Sequence, residues 1–429
     1  MFWTTLIGIL VVTASSGVAL GAALGLTGLV ILEFFGNGST YLALDVIWGV
    51  FNSFTLSAVP MFILLGEILL RSGISERAYT AFTPVFAKVP GGLLHSNIAV
   101  CTLFGAVSGS SLSTAAAVGS VAYPEMSKRG YNKEAVVGSL VGGGTLGLLI
   151  PPSLSLLIFG ALTETSIGQL FVAGVVPGIM VSALFMIYIL FLCLRQQGIS
   201  PRSTESISFW EVVRGMLQIW PILLLIFAIM GSIMFGLATP TEAAGVGVVV
   251  AIIISFVWGQ LTLARLAAAV QRSILLFASI GFIVLGTSIL SLSVSILGVP
   301  QAILELAINS DLGKYGIFAL IILIYVLFGC IFDGLSLMIM TLPIVFPLLV
   351  GLGFDPIWIG VIITVMIEIG QVTPPVGLNL TVLAGVTNNE VPLGRVAVAT
   401  IPYWMLLLLS VAIMTLFPQI ALFLPSVAF

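Results

Sequence analysis

The run GGGTLGLLIPPSLSLL, residues 142–157, decides the fold. Glycine and proline are the residues that disfavour a helix interior most, and three of one and two of the other stand here together. Yet the run is uncharged, as is everything from residue 135 to residue 163. A helix needs roughly 20 apolar residues to cross a hydrocarbon core of about 30 Å. The stretch therefore reads as a membrane segment that interrupts itself at depth.

The rest of the chain agrees with a membrane setting. It is 60% hydrophobic and 7% charged, where a soluble domain carries about 25% charged residues. Uncharged runs recur at residues 1–32, 165–194, 215–241, 273–304 and 396–429. These describe an all-α polytopic membrane protein with room in its 429 residues for about a dozen membrane elements. The opening MFWTTLIGILVV has no basic segment before its apolar stretch, so it reads as a first span rather than a cleaved signal. The net charge of −3 says little, because the charges lie in loops between spans, and nothing reads as a nucleic-acid surface. No G-x-x-x-x-G-K-[ST] motif is present, so ATP is not hydrolysed through a P-loop. Cys101, Cys193 and Cys330 are scattered in apolar runs and His95 is the sole histidine, which leaves no metal cluster and no nucleophile–base pair for an intramembrane enzyme.

The broken stretch has a counterpart. IPPSLSLL around Pro151-Pro152 is echoed by TPPVGLNL around Pro374-Pro375, at an offset of 223. FGAVSG and FGCIFDG place Gly105 and Gly329 at an offset of 224, and Pro177 and Pro402 are 225 apart. Three landmarks at nearly one offset indicate a duplication, divided by the polar stretch at residues 195–214. Basic residues orient the halves. Arg71, Arg77 and Lys88, then Lys128, Arg129 and Lys133, flank loops of the first half. The matching loops of the second half hold Lys314 with Glu305 and Asp311, and Asp355 alone. Basic loops stay cytoplasmic. The halves are therefore inverted, an arrangement common in secondary transporters.

Residues 89–124 carry no charge and have basic flanks on both sides. With SGSSLST at the centre, each arm has about 15 residues, too short to cross. The expectation is a re-entrant hairpin with its tip at residues 108–114. Its twin spans residues 315–350 with DGLS, residues 333–336, at the tip, and enters from the other face. Broken backbone at membrane depth persists only against protein or a water-lined cavity. Residues 142–152 and 370–375 are thus expected to be unwound, to free carbonyls for a cation, and to start half-helices at the prolines whose positive ends favour an anion. Asp333 is the sole charge in residues 315–354. It suits a functional carboxylate or an N-cap for the hairpin's second arm. Glu368 suits a brace for the break. Thr239-Pro240-Thr241-Glu242 reads as a capping box, His95 as a packed histidine, and Trp210, Trp220, Trp258 and Trp404 as interfacial anchors.

FGAVSGSSLSTAAAVGSVAYPEMSKRGY, GGTLGLLIPPS, FGLATPTEAAGVGV and VTPPVGLNL resemble the large membrane subunit of the tripartite ATP-independent periplasmic (TRAP) transporters, in order and over essentially the whole chain. The resemblance implies an elevator-type fold, with a mobile body carrying two re-entrant hairpins and two broken transmembrane helices against a static scaffold. Scaffold helices then occupy residues 1–88 and 215–314. Mobile elements occupy 89–194 and 315–429, so the two repeats are 1–194 and 215–429, joined by a cytoplasmic linker at 195–214. It also implies Na+-coupled uptake of a small organic acid, sialic acid or a C4-dicarboxylate among the classes, in a multi-pass protein of the bacterial inner membrane. The partners implied are a small membrane subunit on a separate chain and a soluble periplasmic binding protein. One Na+ is implied at Ser108, Gly109, Ser110 and Ser111 with Gly143, Gly144, Thr145 and Leu146, and a second at Gly334, Gly370, Thr373 and Pro374. The substrate is expected between them, at Ser111, Ser113, Pro152, Asp333, Ser336, Pro375 and Asn379. A stand-alone Na+/carboxylate symporter or antiporter is the alternative that shares this architecture.

Overall fold

The computed structural model describes residues 8–9, 12–13, 17–201 and 208–429. Most of the expected first span and the middle of the 195–214 linker lie outside the described residues. The described chain is helical, with no strand. By length and composition 6 of its helices could cross a membrane, or up to 8 if each bent pair forms one span. It is an all-α, multi-pass membrane protein.

Two helix–turn–helix hairpins stand where the charge pattern places them. The first pairs Leu93–Ser108 with Ser111–Lys128. Its turn is made by Gly109, in the left-handed region at φ 58, where a side chain is disfavoured. Ser110 then caps the return arm by accepting the Ser113 amide at 3.4 Å. The second pairs Gly313–Gly329 with Gly334–Gly351, and Asp333 caps its return arm by accepting the Ser336 amide at 3.2 Å. Ser110 and Asp333, like Ser113 and Ser336, are 223 positions apart. Pro124 and Pro347, one inside each return arm, repeat the same offset.

The arms run 16 to 18 residues rather than 15. Gly334–Gly351 is long and apolar enough to count among the crossing helices. Contacts rather than arm length identify the hairpins. The first broken helix runs Lys133–Gly144, a short turn at Leu146–Leu149, then Leu154–Thr163. The second runs Pro356–Gln371 and then Leu378–Val386. Lys133, at the base of the first hairpin, pairs with Glu390, just past the end of the second broken helix, at 2.7 Å. At the other extreme Phe159 of the first broken helix meets Phe346, near the base of the second hairpin, edge to face at 5.6 Å. The broken helices thus run antiparallel and the hairpins insert from opposite ends. Midway, Ser155 and Thr364 hydroxyls meet at 3.2 Å.

Close approach is bought by small residues, as in other membrane bundles. A Cβ on Gly105 would lie 2.7 Å from the Gly147 Cα, and one on Gly370 would lie 2.5 Å from the Gly329 Cα. Each hairpin's first arm therefore touches its own broken helix backbone to backbone. The contact repeats across the pseudo-twofold, with Gly147 and Gly370 also 223 apart. Outside this body, Leu20–Phe34 lies along the long helix Leu263–Ile296, with Gly21 against Phe282 and Gly286 and Gly28 against Ile289. Thr239 and Glu242 form the expected capping box.

Candidate functional site

The unwound stretches are shorter than the glycines and prolines suggest. Residues 142–144 are helical, because each glycine is a packing contact rather than a break. Gly142 faces Tyr403, Gly143 faces Cys101 and Gly144 faces Ala115. Extended backbone begins only at Ile150. Both Pro151-Pro152 and Pro374-Pro375 are cis. The half-helices begin at Leu154 and Leu378, three or four residues after the first proline of each pair. Ser153 caps the first of them, accepting the Leu156 amide at 3.4 Å.

The carbonyls at the first break are partly engaged. Leu148 O accepts the Ser155 hydroxyl at 3.0 Å and the Ser153 hydroxyl as well. Leu146 O accepts the Ile150 amide at 3.0 Å, and the Thr145 hydroxyl donates to Gly142 O at 2.7 Å. A carbonyl oxygen has two lone pairs, so a bonded one still has capacity for a cation. At the first tip, Ser108 and Thr114 hydroxyls meet at 2.7 Å, and Ser110 O accepts the Thr114 amide and hydroxyl at 3.0 and 2.8 Å. Gly109 lies against the break: a Cβ there would be 3.4 Å from the Leu154 nitrogen and 3.5 Å from Pro152 O. The structure therefore brings Gly109 to Pro152, and Ser110 O and Thr114 to Gly147. It places Gly143 against Cys101 of the first arm, and Gly144 against Ala115 with its Cβ position 3.4 Å from Ser111 O.

The second half-site is built alike but is more open. Gly334 packs on the Gln371 amide and Ile367, so the second tip sits on the second break. Thr373 donates to Ile369 O at 2.5 Å, and Gly370 O accepts the Thr373 amide at 3.2 Å. Ser336 donates its hydroxyl to Asp333 at 3.2 Å. Pro374 and Pro375 are exposed, whereas Pro151 and Pro152 are buried. Asn379 is fully buried, and neither atom of its side-chain amide meets a protein partner. Ser113 is half-buried beside the first tip.

Glu368 is the group that sequence reasoning under-used. It is 1% exposed and accepts a hydrogen bond from the Ser111 hydroxyl. The bond spans 257 positions and joins the first hairpin to the second broken helix. A buried carboxylate in an apolar run was the available signal; its partner was not visible in the sequence. His95 is packed as expected, with Nε2 2.9 Å from Pro90 O and its ring stacked on Phe86. Among the described residues no cluster of His, Cys, Asp and Glu could hold a metal ion. A cavity of about 1260 Å³ opens elsewhere, at the base of the first hairpin among Lys88, Gly91, Arg129 and Tyr131.

Two inverted hairpins meeting two antiparallel broken helices define a membrane transporter rather than an enzyme. The family model for the tripartite ATP-independent periplasmic transporter, DctM component, matches residues 7–420, and the chain belongs to that family. It is 32% identical over 405 residues to the C4-dicarboxylate TRAP transporter large permease protein of Pseudomonas aeruginosa, covering 94% of each chain. The ectoine TRAP large permease of Halomonas elongata is 34% identical, with 87% of each covered. The sialic acid TRAP large permease of Vibrio cholerae is 28% identical, with 96% of this chain and 95% of that one covered. Among solved structures, the YdaH transporter of Alcanivorax borkumensis shares the fold at a TM-score of 0.61 and 14% identity, over 89% of both chains. The chain is thus a large permease subunit of an ATP-independent transporter.

Proposed function

We propose that this permease drives sodium-coupled uptake of a small organic acid across the bacterial inner membrane, by an elevator motion. It works with a soluble binding protein and a small membrane subunit. The observation that carries the reading is a charge deficit. There is no Lys or Arg in residues 89–126, 134–194 or 315–394, which include both hairpin tips and both breaks. An organic anion bound between the tips has no side-chain counter-ion, and an uncompensated carboxylate there costs several kcal/mol. Half-helix N-termini at Leu154 and Leu378 supply part of the compensation, up to ~2 kcal/mol each in partly buried geometry. Bound cations supply the rest. Hydroxyls and backbone oxygens of Ser108, Ser110, Thr145, Gly370 and Thr373 are the hard ligands that Na+ prefers.

The relatives' named substrates, C4-dicarboxylate, ectoine and sialic acid, differ while the permease persists. That variety supports a binding protein as the main selector. A relative in Oleidesulfovibrio alaskensis, an isethionate TRAP permease protein named DctMQ, is matched over 64% of its length by 95% of this chain, which supports a second membrane subunit. The moving body comprises residues 89–194 and 315–429, and the scaffold residues 1–88 and 215–314. Proteoliposomes holding this chain, the small subunit and the binding protein should take up organic acid only with all three present and with Na+. Uptake by the isolated chain without Na+ would refute the proposal.

A further inference from the structure

We propose that Glu368 is a positioning residue that ties the two half-sites into one unit. The inference rests on the sodium-coupled reading above. Ser111 is the first residue of the first hairpin's return arm and follows Ser110 at the tip. Glu368 stands two residues before Gly370 and five before Thr373, at the second break. The Ser111–Glu368 bond therefore links the tip of one half-site to the helix end of the other. Among the described residues the other polar links between the broken helix of one repeat and the other repeat are Ser155–Thr364 at the crossing point, and the Glu390 contacts and the Arg395–Glu134 pair at the rim.

The carboxyl is an expensive way to make such a link. Its second oxygen is buried and meets no protein partner, and residues 89–126, 134–194 and 315–394 hold no Lys or Arg. A well-packed apolar side chain in that place would be cheaper for stability alone. What favours a carboxyl is its contact with Ser111, the first residue of Ser111–Lys128, an 18-residue helix whose N-terminal end is electropositive. Pseudo-symmetry sharpens the point. At the 223 offset the equivalents of Ser111 and Glu368 are Gly334 and Thr145. Gly334 has no side chain, and the Thr145 hydroxyl is turned onto Gly142 O. The tie is made once, not twice, so movement of the first tip reaches the second break through this bond.

The test is the Na+ dependence of uptake by the reconstituted complex. Ser111→Ala should lower the Hill coefficient for Na+ to about one and raise the half-maximal Na+ concentration by ~10-fold, a typical coupling between sites. Glu368→Leu should do the same, and the double variant should be no worse than either single one. Glu368→Gln, which keeps an acceptor oxygen, should retain cooperativity. Wild-type Na+ dependence in Ser111→Ala, or a Glu368→Gln variant that behaves like Glu368→Leu, would overturn the inference. A wild-type complex indifferent to Na+ would reject the sodium reading instead. The tie itself would then be decided by thermal unfolding without Na+, where Ser111→Ala and Glu368→Leu shifts must be non-additive. Additive shifts would overturn it.

Discussion

Replacing Gly370 with alanine tests the geometry of the second half-site. The new Cβ would sit 2.5 Å from the Gly329 Cα, where ordinary contacts are 3.4–4 Å. Backbone faces it, so no side-chain rotation relieves the clash, and the hairpin arm must part from the broken helix. Overpacking of this kind costs ~1–3 kcal/mol. Alanine's better helix propensity returns about 1 kcal/mol. The expected net is thus a loss of up to ~2 kcal/mol. It is read as a lower melting temperature of the purified protein. Gly105→Ala should act alike, since its Cβ would lie 2.7 Å from the Gly147 Cα. Gly245→Ala is the control: nothing lies within 4 Å of its Cβ, and the substitution should stabilise by ~0.4–1 kcal/mol. The same displacement at Gly370 should raise the Na+ concentration needed for uptake. If Gly370→Ala melts at or above wild type with unchanged Na+ dependence, the backbone contact does not organise the site.

Asp333→Asn keeps the cap, because Asn serves there as well as Asp, so the melting temperature should hold while uptake falls; Asp333→Ala should lose both, with ~1 kcal/mol of stability gone. Gly66→Leu drives a side chain into Ser108 O, 2.6 Å from the added Cβ. Spin-label distances between residues 1–88 and the first hairpin should shift away from the arrangement described here, and an unchanged distribution would exclude this contact as a stop for the proposed elevator motion. The carboxyl of Glu390 is held below its ordinary range by the hydrogen bond from Lys133 and then by that from Tyr123. A depressed carboxyl stabilises the folded state above its unfolded pKa of about 4.3, and the contribution is lost as pH falls through the lowered folded value. Melting curves of wild type and Glu390→Gln should differ slightly near neutral pH, as for exposed pairs, and converge in acid.

Much of this architecture was legible in the chain. Double prolines at one offset, hydroxyl-rich tips and unequal basic loops located the repeats, the hairpins and their opposite insertion, because each follows from local chemistry and the cost of charge in lipid. What lay beyond reach depends on partners remote in sequence. Gly142, Gly143 and Gly144 look like a break, yet they stay helical because Tyr403, Cys101 and Ala115 pack against them. Glu368 looked like a local brace, but its hydroxyl partner is Ser111, in the other repeat. Ser153 and Ser155 sat unremarked beside the prolines, although they satisfy Leu148 O. Spacing along the chain shows that a backbone must break, and only the packed neighbours show where.

The proposed sodium coupling makes one quantitative demand, the number of Na+ ions carried with each substrate. It is read as the voltage at which flux through the reconstituted complex reverses under a fixed Na+ gradient. Under the proposed sodium coupling, two paired tips and breaks predict a reversal voltage that fits at least two Na+ per substrate, falling by one when Thr373→Ala removes the proposed ligand of the second half-site. A stoichiometry of one or none in the wild-type complex would contradict the account.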